Sequence, residues 1–180
     1  MRPPWPLGPE RRAQRSWLAT LGMMGLLYGG YYFPHARGSA PERIIHGYLL
    51  AQTTCLGWLV HLFDPSAQVT GTRIAGAFAL DIVKDCSSLD AQALLVAAIV
   101  AFPASWRARA AGAALGIVLL NAANQLRMLA LYVAGMRAPA AFDALHEEVM
   151  PLLLVAVACV CFGVWTLHVS TARASDDRAH

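Results

Sequence analysis

Charge is scarce in this chain. Of its 180 residues only 14% are Asp, Glu, Lys or Arg, while 57% are hydrophobic, and an ordinary soluble domain carries roughly 25% charged residues. With a mean hydropathy of +0.48, this excludes a conventional soluble domain and points to a bilayer. Cysteine is scarce too: Cys55, Cys86, Cys159 and Cys161 form no C-x-x-C pair, and the last two share one apolar run, which excludes a zinc ribbon and a disulfide framework. The H-E-x-x-H pattern is missing, because His146-Glu147-Glu148 continues into Val149 and Met150, so a zinc-protease site is excluded. No basic stretch is interleaved with aromatics, and the net charge of +3 gives no reason to expect nucleic acid. No internal repeat is evident, and 1–180 reads as one integral membrane domain.

What the chain does have is long apolar runs. Four of them, 16–33, 89–106, 110–134 and 149–168, are long enough to cross a hydrocarbon core, which needs about 17 to 25 residues. A fifth stretch, 41–63, is interrupted by Glu42, Arg43, His46, Gln52, Thr53, Thr54 and His61. On a helix, Arg43, His46, Thr53, Gly57 and His61 fall near one face, and Ile45, Leu49, Leu56, Leu59 and Phe63 lie opposite, so this stretch is expected to lie in the interface. The expected fold is therefore an all-α membrane protein of about four transmembrane helices with an interfacial amphipathic helix. A small extracytoplasmic β-hairpin completes it, with strands at 68–74 and 77–83 and a turn at Gly76.

Arginines set the orientation. Arg2, Arg11, Arg12 and Arg15 precede the first run, Arg107 and Arg109 sit in a short turn, and Arg173 and Arg178 follow the last run. Four spans put all eight on the cytoplasmic side, with 1–15 and 169–180 as cytoplasmic tails and 16–33 as an uncleaved first anchor. Arg37, Arg43, Arg73, Lys84 and Arg137 then lie outside.

This topology brings three polar residues to one level. Cys86 is 17 residues before Pro103, and Arg127 is 17 residues after Ala110; at 1.5 Å per residue both stand about 25 Å above the cytoplasmic turn. His146 precedes the last run by a few residues and belongs on the same outer side. A thiol, a guanidinium and an imidazole gathered at one membrane face are the parts of a cysteine nucleophile with its acid/base and charge stabiliser. Cys86, expected at a helix N-terminus and near Lys84 and Arg127, should have a depressed thiol pKa, with Asp85 opposing. Cys55, Cys159 and Cys161 read as small packing residues. Asn121, Asn124 and Gln125 give the Arg127 helix a polar face, costly against lipid.

The same residues resemble a known family. Asp85-Cys86-Ser87-Ser88-Leu89-Asp90-Ala91, the turn Ala101-Phe102-Pro103-Ala104-Ser105-Trp106-Arg107, the Asn124-Gln125-Leu126-Arg127 motif and a downstream His146 are similar to the exosortase/archaeosortase family, most of all its exosortase H subtype. The resemblance implies a membrane cysteine protease or transpeptidase of the bacterial inner membrane, with its active site on the extracytoplasmic side. It would cleave C-terminal sorting signals of exported proteins, each a short motif, a transmembrane helix and a basic tail. Cys86 would be the nucleophile, Arg127 and His146 would complete the site, Asn124 would support it, and no cofactor is implied. Ser88 departs from the family, which commonly has Gly there. The competing reading is a small helical membrane protein that binds or transports a ligand along a polar path of Asn121, Asn124, Gln125 and Arg127.

Overall fold

The computed structural model describes residues 9–36 and 38–176. Arg2, Arg37 and Arg178 of the expected topology lie outside them. The chain is mainly helical: α1 (Pro9–Tyr32), α2 (Ala40–Val60), three short strands β1 (Gln68–Thr70), β2 (Arg73–Ala75) and β3 (Ala79–Asp81), then α3 (Leu89–Ala101) and α4 (Trp106–Arg137). A reversal containing the single-turn α5 (Phe142–Ala144) and a π turn (Leu145–Val149) leads into α6 (Met150–Asp176).

Two helical stretches are long and apolar enough to cross a membrane, Trp106–Arg137 and Pro139–Thr171. Only 11% of the most apolar window of the second is buried inside the protein. A soluble core helix would be buried, whereas this one presents Leu152, Leu153, Val155, Val160, Val164 and Leu167 outward. The expected span at 89–106 is shorter than its apolar run. Phe102 adopts an extended conformation (ψ 138°) before Pro103, because a residue before proline is driven out of the helical region. The resulting α3 has 13 residues, about 20 Å of helix against a hydrocarbon core of about 30 Å. α6 runs past the expected end at 168, through part of the expected tail.

α2 begins where expected, with Ser39 Oγ accepting the Glu42 amide and proline in its first turn. Its faces differ from the helical-wheel expectation. Thr53 and Gly57, expected on the polar side, are buried together with Leu49, Gln52, Leu56 and Val60, whereas Phe63 is exposed. Size decides this more than polarity. A Cβ on Gly57 would stand 2.5 Å from Val69 Cγ2, so glycine lets β1 come close, and Thr53 satisfies its buried hydroxyl on its own helix through Leu49 O.

The expected hairpin is a three-stranded antiparallel meander, β1-β2-β3. The stretch 68–74 folds on itself at Gly71, whose φ of +60° is a left-handed conformation that glycine adopts without penalty. The sheet, α2 and α4 enclose one core of Leu56, Val60, Ile74, Leu80, Ile82, Met128 and Tyr132, which also contains Cys86. A second core, Leu95, Ile99, Leu120, Leu154 and Ala158, joins α3, α4 and α6. Gly116 of α4 admits Leu95, and Gly112 admits the Trp165 ring.

Candidate active site

Cys86 closes a 3-10 turn, Lys84–Cys86, between β3 and α3. Its own amide bonds Val83 O, and Ser87 N bonds Lys84 O. Cys86 thus stands just before the first turn of α3, which starts at Leu89 as expected, and the free N–H groups of that helix begin beyond the thiol. Ser88 is the residue that caps α3, with φ −89° and ψ 15°. Its φ is negative, so the turn does not require the left-handed conformation for which glycine is needed. Its hydroxyl accepts a 2.6 Å hydrogen bond from Gln92 Nε2.

The four residues singled out by sequence meet around this turn. Cys86 Sγ lies 3.9 Å from His146 Nε2 and 3.8 Å from Asp81 O. Asn124 Nδ2 donates to Cys86 O at 3.0 Å, and Arg127 Nη1 donates to Asn124 Oδ1 at 3.3 Å. Asn124 and Arg127 are three apart on α4 and so lie on one face. Arg127 is 4% exposed, its Nε has no hydrogen-bond partner, and the ion pair among the described residues is Arg73 with Asp81, elsewhere. A guanidinium buried without a carboxylate is costly, and the group nearest to answering it is the Cys86 thiol.

Burial pushes the Cys86 thiol up. The Val83 backbone hydrogen bond and the Arg127 charge pull the other way, and Asp85 adds to the rise. The depressed thiol expected from sequence is thus reversed, because desolvation disfavours the charged form. Lys84 does not help as expected: its Nζ bonds Tyr31 O at 2.9 Å and lies over the Tyr31 ring.

No family model, curated protein or solved structure matches this chain. The site is therefore read from its own geometry. Asn121 and Gln125, two of the residues of the competing polar path, are engaged across α2. Asn121 Oδ1 accepts from Tyr48 Oη and Gln52 Nε2, and Gln125 bonds Gln52. Gln52 Nε2 and Gln92 Nε2 both donate to Tyr48 Oη, which extends this seam toward Ser88. A groove of about 680 Å³ opens between α1, α2 and α3, with Leu26, Ile44 and Val96 on its walls. Cys86 does not line it. Tyr31 and Gln92 do, and they bond Ser87 and Ser88 beside the thiol.

Several contributors escaped the sequence reading. Asp64 Oδ2 accepts from Tyr132 Oη and from the Ala77 amide, both at 2.7 Å, and its Oδ1 accepts from Ser66. These bonds, led by that of Ala77, hold the Asp64 carboxyl well below the usual carboxylate range and tie the sheet to α4. The Tyr31 hydroxyl donates to Ser87 Oγ and so joins α1 to the cysteine turn. Cys161 is half-buried and packs against the second core as expected, whereas Cys55 and Cys159 are exposed and do not take the buried positions expected of them. Among the described residues no three His, Cys, Asp or Glu side chains stand together as a metal-binding group.

Proposed function

We propose that this chain is an exosortase-like membrane cysteine peptidase or transpeptidase, most similar to the exosortase H subtype, which cleaves C-terminal sorting signals of exported proteins. The observation that carries the reading is the pairing of Cys86 Sγ with His146 Nε2 at 3.9 Å, beside a buried Arg127 that lacks an anion. In this reading the chain is a multi-pass enzyme of the bacterial inner membrane with four spans, the Arg107/Arg109 turn on the cytoplasmic side and Cys86 outside, and the two long apolar helices support its association with a membrane.

The chemistry is acyl transfer. Because burial keeps the resting thiol neutral, His146 removes the proton as sulfur attacks the scissile carbonyl carbon. A C–S bond forms, the carbonyl electrons move to oxygen, and Arg127 stabilises the negative charge. Collapse of this tetrahedral species breaks the C–N bond, the imidazolium gives its proton to the departing amine, and a thioester on Cys86 remains. Water or an acceptor amine then attacks the thioester and releases the thiol. Asn124 holds both the Cys86 carbonyl and the Arg127 guanidinium, which fixes nucleophile and charge stabiliser relative to each other. The bilayer confines the substrate helix beside the spans and so aligns its cleavage site with Cys86.

Cys86→Ala should leave the protein in the membrane and abolish processing of a co-expressed protein ending in a motif, an apolar helix and a basic tail. Processing at the wild-type level by that variant sinks the assignment. Asn121, whose amide is taken up by Tyr48, Gln52 and its own helix, is not free to meet a cargo along a ligand path.

A further inference from the structure

A general base must be held in plane as well as near its nucleophile, and in cysteine and serine hydrolases a third group commonly does this through the far ring nitrogen. His146 has no such group: among the described residues nothing hydrogen-bonds its Nδ1, and its one polar contact is the 3.9 Å approach to Cys86. A contact of that length does not fix a ring. Its ring instead stacks on Phe142, centroids 5.7 Å apart and planes 10° from parallel. The two residues are four apart, and the π turn Leu145–Val149 carries His146 toward Cys86; such turns recur at functional sites.

Phe142 is itself braced. Its ring meets Phe78 at 5.1 Å, and Phe78 meets Tyr132 edge-on at 6.2 Å. Gly135 of α4 leaves the space that Phe78 fills, since a Cβ there would stand 2.6 Å from the ring. Tyr132 ends the row on Asp64. Phe142 thus backs one face of the imidazole and is itself backed in turn by Phe78, Tyr132 and Asp64, from three other parts of the chain.

We propose that Phe142 is the positioning residue of His146, replacing by ring stacking the hydrogen-bonded orienter that the pair lacks. The proposal rests on Cys86 and His146 acting as a nucleophile–base pair, and it is tested without any peptide substrate. The rate of Cys86 alkylation by iodoacetamide at neutral pH, resolved from the other cysteines by peptide mass spectrometry, reads how well His146 takes the thiol proton. Phe142→Leu should slow alkylation of Cys86 about tenfold, less than the 10²–10⁴-fold of a whole general base, with Cys55 unaffected as an internal control. Phe142→Tyr, which keeps the ring, should restore the rate to within about twofold of wild type. In a His146→Ala background Phe142→Leu should slow it no further, since the two residues act as one unit. An unchanged rate in Phe142→Leu, an equal loss with and without His146, a Tyr variant no better than Leu, or no effect of His146→Ala alone each overturns the positioning role. Failure of the sorting-signal reading shows instead as absent processing by wild type with the alkylation cycle intact.

Discussion

At the residue scale, the burial of one thiol changes how the site must work. A thiolate prepared in advance by a helix terminus would react with alkylating reagents near neutral pH. The structure instead buries Cys86, and desolvation outweighs the pull of the Val83 backbone hydrogen bond and the Arg127 charge. A thiol pKa raised in the folded state means that folding favours the neutral form. That contribution to stability is present below the ordinary thiol range and is lost as the pH rises through the raised value. The pH profile of Cys86 alkylation should therefore have its midpoint above the value of about 8.5 for free cysteine, and a midpoint below it contradicts this description of the resting site. Arg127 and His146 were legible in the sequence because polar groups within or beside apolar runs are expensive and need a reason. The thiol's raised pKa was not legible, since burial is a property of the assembled fold and Lys84-Asp85-Cys86-Ser87-Ser88 reads as a polar surface.

At the scale of elements, the site depends on how the sheet is fastened to α4. Asp64, at the end of the turn after α2, collects the Tyr132 hydroxyl, the Ala77 amide and Ser66, and Phe78 fills the notch at Gly135. Gly135→Ala should force the Phe78 ring aside and destabilise the protein by about 1–3 kcal/mol, the usual cost of overpacking. Thermal unfolding in detergent measures this, and an unchanged midpoint shows that the notch is not needed. The periods of the apolar runs were enough to expect α1, α4, α6 and the position of α2. They were not enough for the first turn of the sheet, because Thr70-Gly71-Thr72-Arg73 reads as continuous strand and only the positive φ of Gly71 reveals the fold-back. The Asp64–Tyr132 bond joins residues 68 positions apart, and Phe78 and Phe142 look like any core aromatics. No local pattern carries such pairings.

For the whole molecule, the proposed topology sets the Arg107/Arg109 turn and the cysteine turn on opposite sides of the bilayer. With Cys55, Cys86, Cys159 and Cys161 replaced by Ser, a membrane-impermeant thiol reagent should label Gln68→Cys in intact spheroplasts. It should label Arg107→Cys only after the membrane is opened, and the reverse pattern overturns the orientation. The segment lengths alone set Cys86 and Arg127 at one level, and the bond from Asn124 to the Cys86 carbonyl shows that level directly. The central claim is that a peptide carbonyl is transferred to Cys86. Mass spectrometry of the protein purified from cells that over-express a sorting-signal substrate tests it most directly. The account predicts an acyl adduct on the peptide containing Cys86 that hydroxylamine removes, with accumulation raised when acceptor is depleted. Processed substrate together with an adduct confined to another residue, or with processing undiminished in Cys86→Ala, would contradict it.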